Sequence, residues 1–176
     1  KRIPLKSGLG GGSSNAASVL IAINRIFNLD LSKKKLIDLA LILGSDVPIF
    51  VHGRSSIATG RGEIFKKVSL VENPVLVIIP NSRISTKLAF ENFNNIETIK
   101  YSNKKNFNSF ENWIRKNFSE INEIFNFIEN YNDAHLSGTG SAIYSMFNNF
   151  EEAQKIIDNA PSNMNCFLTT TLNNSP

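Results

Sequence analysis

Cysteine is nearly absent: Cys166 is the only one in the chain. A lone thiol forms no internal disulfide, which suits a reducing compartment and points to the cytoplasm. Cys166 reads instead as a small core hydrophobe. Long apolar runs are missing too, with no stretch of roughly eighteen or more uncharged apolar residues to cross a membrane as a helix. Lys1, Arg2, Ile3 and Pro4 lead straight into a glycine-rich stretch, with no apolar signal segment between. His52 has no second histidine or cysteine nearby, which argues against a metal site there. Lys and Arg number 19 against 15 Asp and Glu, a net charge of +4 and a pI near 9.2. The lysines fall in short scattered runs (33–35, 66–67, 104–105), and nothing resembles a nucleic-acid module. They read as a solvated surface, so neither nucleic acid nor membrane is an expected partner.

What remains is a globular composition, 41% hydrophobic over 176 residues, enough for one domain or two small ones. Asparagine is abundant between Asn92 and Asn132 and reads as surface composition.

The chain is organised around residues 4–17. Four glycines (Gly8, Gly10, Gly11, Gly12) precede Ser13, Ser14 and Asn15, and then an apolar helical pattern begins at Ala16 and Ala17. Glycine lets a ligand approach the main chain closely, and a helix N-terminus offers unpaired N–H groups with partial positive charge. Together they make a phosphate cradle, in which Ser13 and Ser14 would add hydroxyls or help hold a metal ion riding on the phosphates. No Lys follows Gly12, which excludes a Walker A loop. The Gly-x-Gly-x-x-Gly/Ala dinucleotide fingerprint also fails, from Gly8 and from Gly10 alike. A flexible linker would not run into a well-patterned helix.

This stretch, in the form Gly-Leu-Gly-Gly-Gly-Ser-Ser-Asn-Ala-Ala, resembles the phosphate-binding motif of the GHMP kinase superfamily. It is most similar to the members that phosphorylate 4-diphosphocytidyl-2-C-methyl-D-erythritol in the non-mevalonate isoprenoid pathway. Lys6 and Ser7 stand where the family carries small residues. The resemblance implies ATP with Mg2+ as phosphate donor. It assigns nucleotide binding to Pro4, Leu5, Lys6, Ser7, Gly8, Leu9, Gly10, Gly11, Gly12, Ser13 and Ser14.

Two further motifs follow in family order. In Gly44-Ser45-Asp46-Val47-Pro48, Asp46 read alone is a turn residue, a cap or a catalytic group. The resemblance makes it the carboxylate that accepts the proton of the attacking hydroxyl. Ser137-Gly138-Thr139-Gly140-Ser141 read alone is a turn. The resemblance makes Gly138, Thr139 and Gly140 a loop closing near the phosphates. Ala58, Gly60, Gly62 and Glu63, and the stretch around Ser85 and Thr86, also resemble the family. Arg61 would reach substrate phosphate or simply sit exposed in a turn.

The patterning predicts the tail of a strand over residues 1–5 and helices over 14–27 and 32–43. A hairpin follows around 60–63, then a buried strand over 75–79 and a helix from Ser85 to Asn92. Residues 93–106 read as a variable loop. Helices are expected over 107–117 and 119–130, the second capped by Ser119, with Trp113 and Phe107, Phe110, Phe118, Phe125 and Phe127 as core. A strand over 142–147, a helix over 151–159 and a strand over 166–172 complete the pattern. This is an α+β chain. The resemblance implies a two-lobed fold: a partial ribosomal-protein-S5-like lobe over 1–72, with ATP binding, and a ferredoxin-like domain over 73–176.

Family members also carry a preceding portion with several strands, a lysine that partners the aspartate, and the groups that grip the cytidine. Lys1, Arg2 and Lys6 do not match that lysine's motif. The expectation is therefore that residues 1–176 are part of a longer protein, poorly stable and inert alone. Two alternatives stay open: another GHMP small-molecule kinase acting on homoserine, a sugar or mevalonate, and a non-catalytic nucleotide-binding module. The oligomeric state is not legible from the sequence.

Overall fold

A computed structural model describes residues 3–92 and 108–175. The expected loop over 93–106 lies outside the described residues, as does Phe107. The chain forms two compact units, one made of Lys1–Leu9 and Asn73–Thr171, the other of Gly10–Glu72 and Leu172–Pro176. The glycine stretch is therefore divided after Leu9.

The larger unit is built on β3 (Pro74–Ile79), whose run of Val, Leu and Ile is buried on both faces. It pairs antiparallel with β5 (Ile143–Met146) on one side and β6 (Asn165–Thr170) on the other. The two-residue β4 (His135–Leu136) completes the order β4-β5-β3-β6. With helices between β3 and β4 and between β5 and β6, this is the ferredoxin-like arrangement of two interleaved βαβ units.

α6 (Ser119–Glu129) turns Ile121, Ile124, Phe125 and Ile128 into the core at helical spacing. α7 (Phe150–Asp158) adds Ala153 and Ile156, and both helices pack with Leu76 and Ile78. α4 (Thr86–Glu91) is capped by Ser85, whose hydroxyl accepts the Leu88 N–H. α5 (Glu111–Asn117) supplies Ile114, and Trp113 and Phe118 pack edge to face on the rim of the core. Cys166 is half-buried against the same cluster, and burial pushes its thiol up from its usual pKa.

The smaller unit packs α1 (Gly11–Ile26), α2 (Lys33–Leu43) and α3 (Val47–His52). Ala17 and Ala40 are fully buried, which lets the helices approach closely around Leu36, Val47 and Val51. β1 (Ser56–Thr59) and β2 (Ile64–Lys67) form the expected hairpin. The C-terminal segment is fastened to it: Ser55 N–H donates to Asn173 C=O and Ser175 N–H to Gly53 C=O.

Several local expectations are corrected. Residues 3–9 form turns and bends, not a strand tail. Pro4 lacks an N–H, Lys6 has a left-handed φ of 56°, and the Ser7 hydroxyl folds back on Pro4 C=O. α1 begins at Gly11, three residues before the expected Ser14, because left-handed Gly10 caps it and the glycines form its first turn. Among the described residues the fifth helix begins at Glu111, since Asn108 makes a turn ahead of it. Ser119 is the first residue of α6 and not its cap, which is Phe118. β6 ends at Thr170, where the chain leaves the sheet for the smaller unit.

Candidate active site

In the smaller unit the helix start and the aspartate are set by neighbouring elements. Ser14 N–H is the first of α1 to bond, to Gly10 C=O at 2.8 Å. The N–H groups of Gly11, Gly12 and Ser13 have no partner among the described residues, so the first turn carries free donors at the positive end of a 16-residue helix. Gly10 has a φ of 65°, and a Cβ there would sit 2.7 Å from the Phe50 ring of α3. Gly12 is different: no protein atom lies within 4 Å of where its Cβ would be. Nothing among the described residues demands glycine at that exposed position, where a side chain or a ligand would meet open space.

Asp46 precedes α3 as its N-cap residue, yet its backbone is helical and its carboxylate makes no cap hydrogen bond. Pro48, at the start of α3, donates no N–H where the helix needs none. Val47, Pro48 and Val51 are buried, so α3 is anchored on one face while Asp46 stays exposed at its start. The hairpin turn closes over the same spot: a Cβ on Gly62 would lie 2.1 Å from Ser45 C=O. That packing accounts for the second glycine of the Ala58, Gly60, Gly62 and Glu63 motif. Glu63 accepts the Arg61 N–H at 2.8 Å and closes the turn, leaving the Arg61 side chain exposed.

In the larger unit the structure brings Gly8 and the Gly138–Gly140 loop into direct contact. A Cβ on Gly8 (φ 76°) would lie 2.1 Å from Ser137 C=O and 2.9 Å from Gly140 C=O. The Ser137 hydroxyl donates to Gly8 C=O at 3.0 Å, and Ala142 N–H donates to Ser7 C=O at 2.8 Å. Ser7 is 2% exposed, which is why a small residue is required there; Lys6 keeps its side chain outside. Pro4 and Leu5 lie in the preceding turn, with Leu5 exposed. Thr139 and Thr86 pair through their hydroxyls at 3.3 Å, joining α4 to the loop. The N–H groups of Gly8, Leu9, Gly138 and Thr139 have no partner among the described residues. The larger unit thus carries its own main-chain donors without a partner among the described residues.

Sequence reasoning missed Phe50, Asn108 and Glu111. The Asn108 carboxamide donates to Leu136 C=O (3.0 Å) and Gly138 C=O (2.8 Å) while accepting the Phe110 N–H. Glu111 accepts the Leu136 N–H at 3.2 Å; burial pushes its carboxyl above the usual range, partly offset by that bond and by Arg115 and His135. No local pattern marked Asn108 and Glu111, because their partners Leu136 and Gly138 lie 25 to 30 residues further along the chain.

Among the described residues no group of three or more His, Cys, Asp or Glu side chains could hold a metal ion. No helix among the described residues is long and apolar enough to cross a membrane.

The family description "GHMP kinases N terminal domain" matches residues 1–54, and "GHMP kinases C terminal" matches residues 88–166. A 4-diphosphocytidyl-2-C-methyl-D-erythritol kinase of Pasteurella multocida is 40% identical over 182 residues, covering all of this chain and 62% of its own length. One from Psychromonas ingrahamii is 34% identical over all of this chain and 64% of its own length. The chain thus spans a little under two thirds of these curated relatives. A crystal structure of 4-(cytidine 5'-diphospho)-2C-methyl-D-erythritol kinase aligns with a TM-score of 0.80 at 28% identity, over 97% of this chain and 68% of that one. A homoserine kinase from Cytophaga hutchinsonii aligns at 0.62 with 16% identity, over 99% of this chain and 69% of that one, a likeness of fold alone. With both family halves matched in order, and the glycine loop, Asp46 and the Gly138–Gly140 loop built as described, the chain belongs to the GHMP kinase superfamily.

Proposed function

We propose that the protein carrying this chain transfers the γ-phosphoryl group of ATP to the 2-hydroxyl of 4-diphosphocytidyl-2-C-methyl-D-erythritol, in the cytoplasm. The observation that carries this reading is the start of α1. Free Gly11, Gly12 and Ser13 N–H groups and open space over Gly12 stand in the same unit as an uncommitted Asp46 carboxylate. The names and identities of the relatives point to the acceptor. The same reading assigns residues 1–72 to the ATP-binding domain and 73–176 to the C-terminal domain.

Phosphoryl transfer asks a protein mainly to position the reactants and to offset charge. The free N–H groups of the α1 start, with the Ser13 and Ser14 hydroxyls, would bind phosphate oxygens, and the Gly8 and Gly138–Thr139 N–H groups offer a second set of donors. Mg2+ supplies charge neutralisation when bound with ATP. The acceptor oxygen bonds to the γ-phosphorus as the bridging bond to the β-phosphate oxygen breaks, releasing ADP. Asp46 orients the acceptor hydroxyl and takes its proton.

The test uses the protein at the full length of its relatives, incubated with Mg-ATP and, separately, 4-diphosphocytidyl-2-C-methyl-D-erythritol, homoserine, mevalonate and galactose. Phosphorylated product from the first alone is the expected result. Product from another acceptor would overturn the substrate and keep the kinase. ATP binding without product from any would make the protein a nucleotide-binding module.

A further inference from the structure

We infer that Asn108 is a positioning residue for the nucleotide loop, a role that rests on the kinase reading above. Asn108 lies just ahead of α5 and uses its whole carboxamide. Its oxygen accepts the Phe110 N–H at 2.9 Å, which fixes the turn, and its two N–H groups reach Leu136 C=O at 3.0 Å and Gly138 C=O at 2.8 Å. Those two carbonyls flank Ser137, the residue whose hydroxyl donates to Gly8 C=O and whose own C=O accepts the Gly140 N–H. Glu111 completes the clamp from the same turn by accepting the Leu136 N–H.

The consequence is directional. Tying the C=O groups of Leu136 and Gly138 toward α5 fixes the peptide planes on either side of Ser137. It leaves the Gly138 and Thr139 N–H groups, which have no partner among the described residues, as the uncommitted side of the loop. No other side chain of similar size does this. Asp would set a carboxylate against two carbonyl oxygens, and Leu would donate nothing. Asn108 touches no reacting atom; it acts through the Gly138 and Thr139 donors.

The test compares Asn108→Asp with the unchanged full-length protein, measuring KM for ATP, KM for the acceptor, kcat and the melting temperature. The expected result is a rise in ATP KM of roughly tenfold, the scale of a lost loop hydrogen bond, with acceptor KM within twofold. Asn108→Ser keeps a short turn-forming oxygen but cannot span both carbonyls; it covers the case in which the Asp variant fails to fold and is expected to show the same ATP-selective loss. A lowered melting temperature with unchanged ATP KM in the variants overturns the role and makes Asn108 a merely structural cap. Equal losses for ATP and acceptor also overturn it. Failure of the unchanged protein to bind ATP overturns the kinase reading instead, and this inference with it.

Discussion

At the residue scale, the two ends of the glycine stretch answer to different physics. Gly8 is required by the fold, since a side chain there meets the Ser137 carbonyl at 2.1 Å with a left-handed φ. Gly8→Ala is expected to destabilise the larger unit by about 1–3 kcal/mol, read as a lowered urea midpoint. Gly12 is in a helix with open space around it. Gly12→Ala is expected to leave stability unchanged or raise it by about 0.5 kcal/mol, while weakening ATP binding in equilibrium titration. Asp46 makes no cap hydrogen bond, so Asp46→Asn should move the melting point little. Turnover should fall on the order of a hundred- to ten-thousand-fold with ATP affinity kept. Full-rate turnover in that variant would remove Asp46 from the mechanism.

At the element scale, two glutamates on neighbouring helices of the larger unit titrate in opposite senses. Burial works to raise Glu120 at the start of α6, but the Ser82 hydroxyl and N–H and the Asn81 N–H outweigh it and hold the carboxyl below its usual range. Its contribution is present above the unfolded carboxylate pKa of about 4.3 and is lost as pH falls through the lower folded value. Glu111 on α5 is raised, chiefly by burial, so its contribution is present below the unfolded pKa and lost as pH rises through the folded one. Urea midpoints measured from about pH 3 to about pH 7 should therefore flatten on the acid side in Glu120→Gln. They should rise at neutral pH relative to acid in Glu111→Gln. Identical pH profiles for both variants and the unchanged chain would count against these assignments.

The elements also divide by how far they were legible. The strand over 75–79 was clear because its apolar run is bounded by Pro74 and Pro80, and it proves fully interior to the sheet. The helix capped by Ser32 was legible for another local reason, a hydroxyl that accepts the Lys35 N–H. The start of α1 was not. Glycine and serine argue against a helix interior by propensity, and only capping by left-handed Gly10 places them in the first turn.

At the scale of the whole molecule, the two units differ in core size. Among the described residues, fifteen buried apolar residues form one cluster in the larger unit, against five in the smaller. In the smaller unit Ile26, Phe27, Leu29, Ile42 and Leu43 are exposed, an apolar burden that burial would convert to stability at roughly 25 cal/mol per Å2. Residues 1–176 alone are therefore expected to melt in two steps, with amide protection in α1 and α2 lost before that in β3 and α6. They should also bind a hydrophobic dye. A single cooperative transition, with protection lost together, would refute this.

Sequence by itself determined the chemistry on offer and the local elements. Glycine spacing, the Gly-Ser-Asp-Val-Pro string and apolar periodicity all act within a few residues, where backbone freedom, capping and side-chain period are set. Only the tertiary structure decided which of these meet. The contacts between Gly8 and Ser137, between Gly62 and Ser45, and between Asn108 and Gly138 join positions far apart in the chain. Each depends on close backbone approach or a full set of hydrogen bonds, which packing creates and no local pattern encodes.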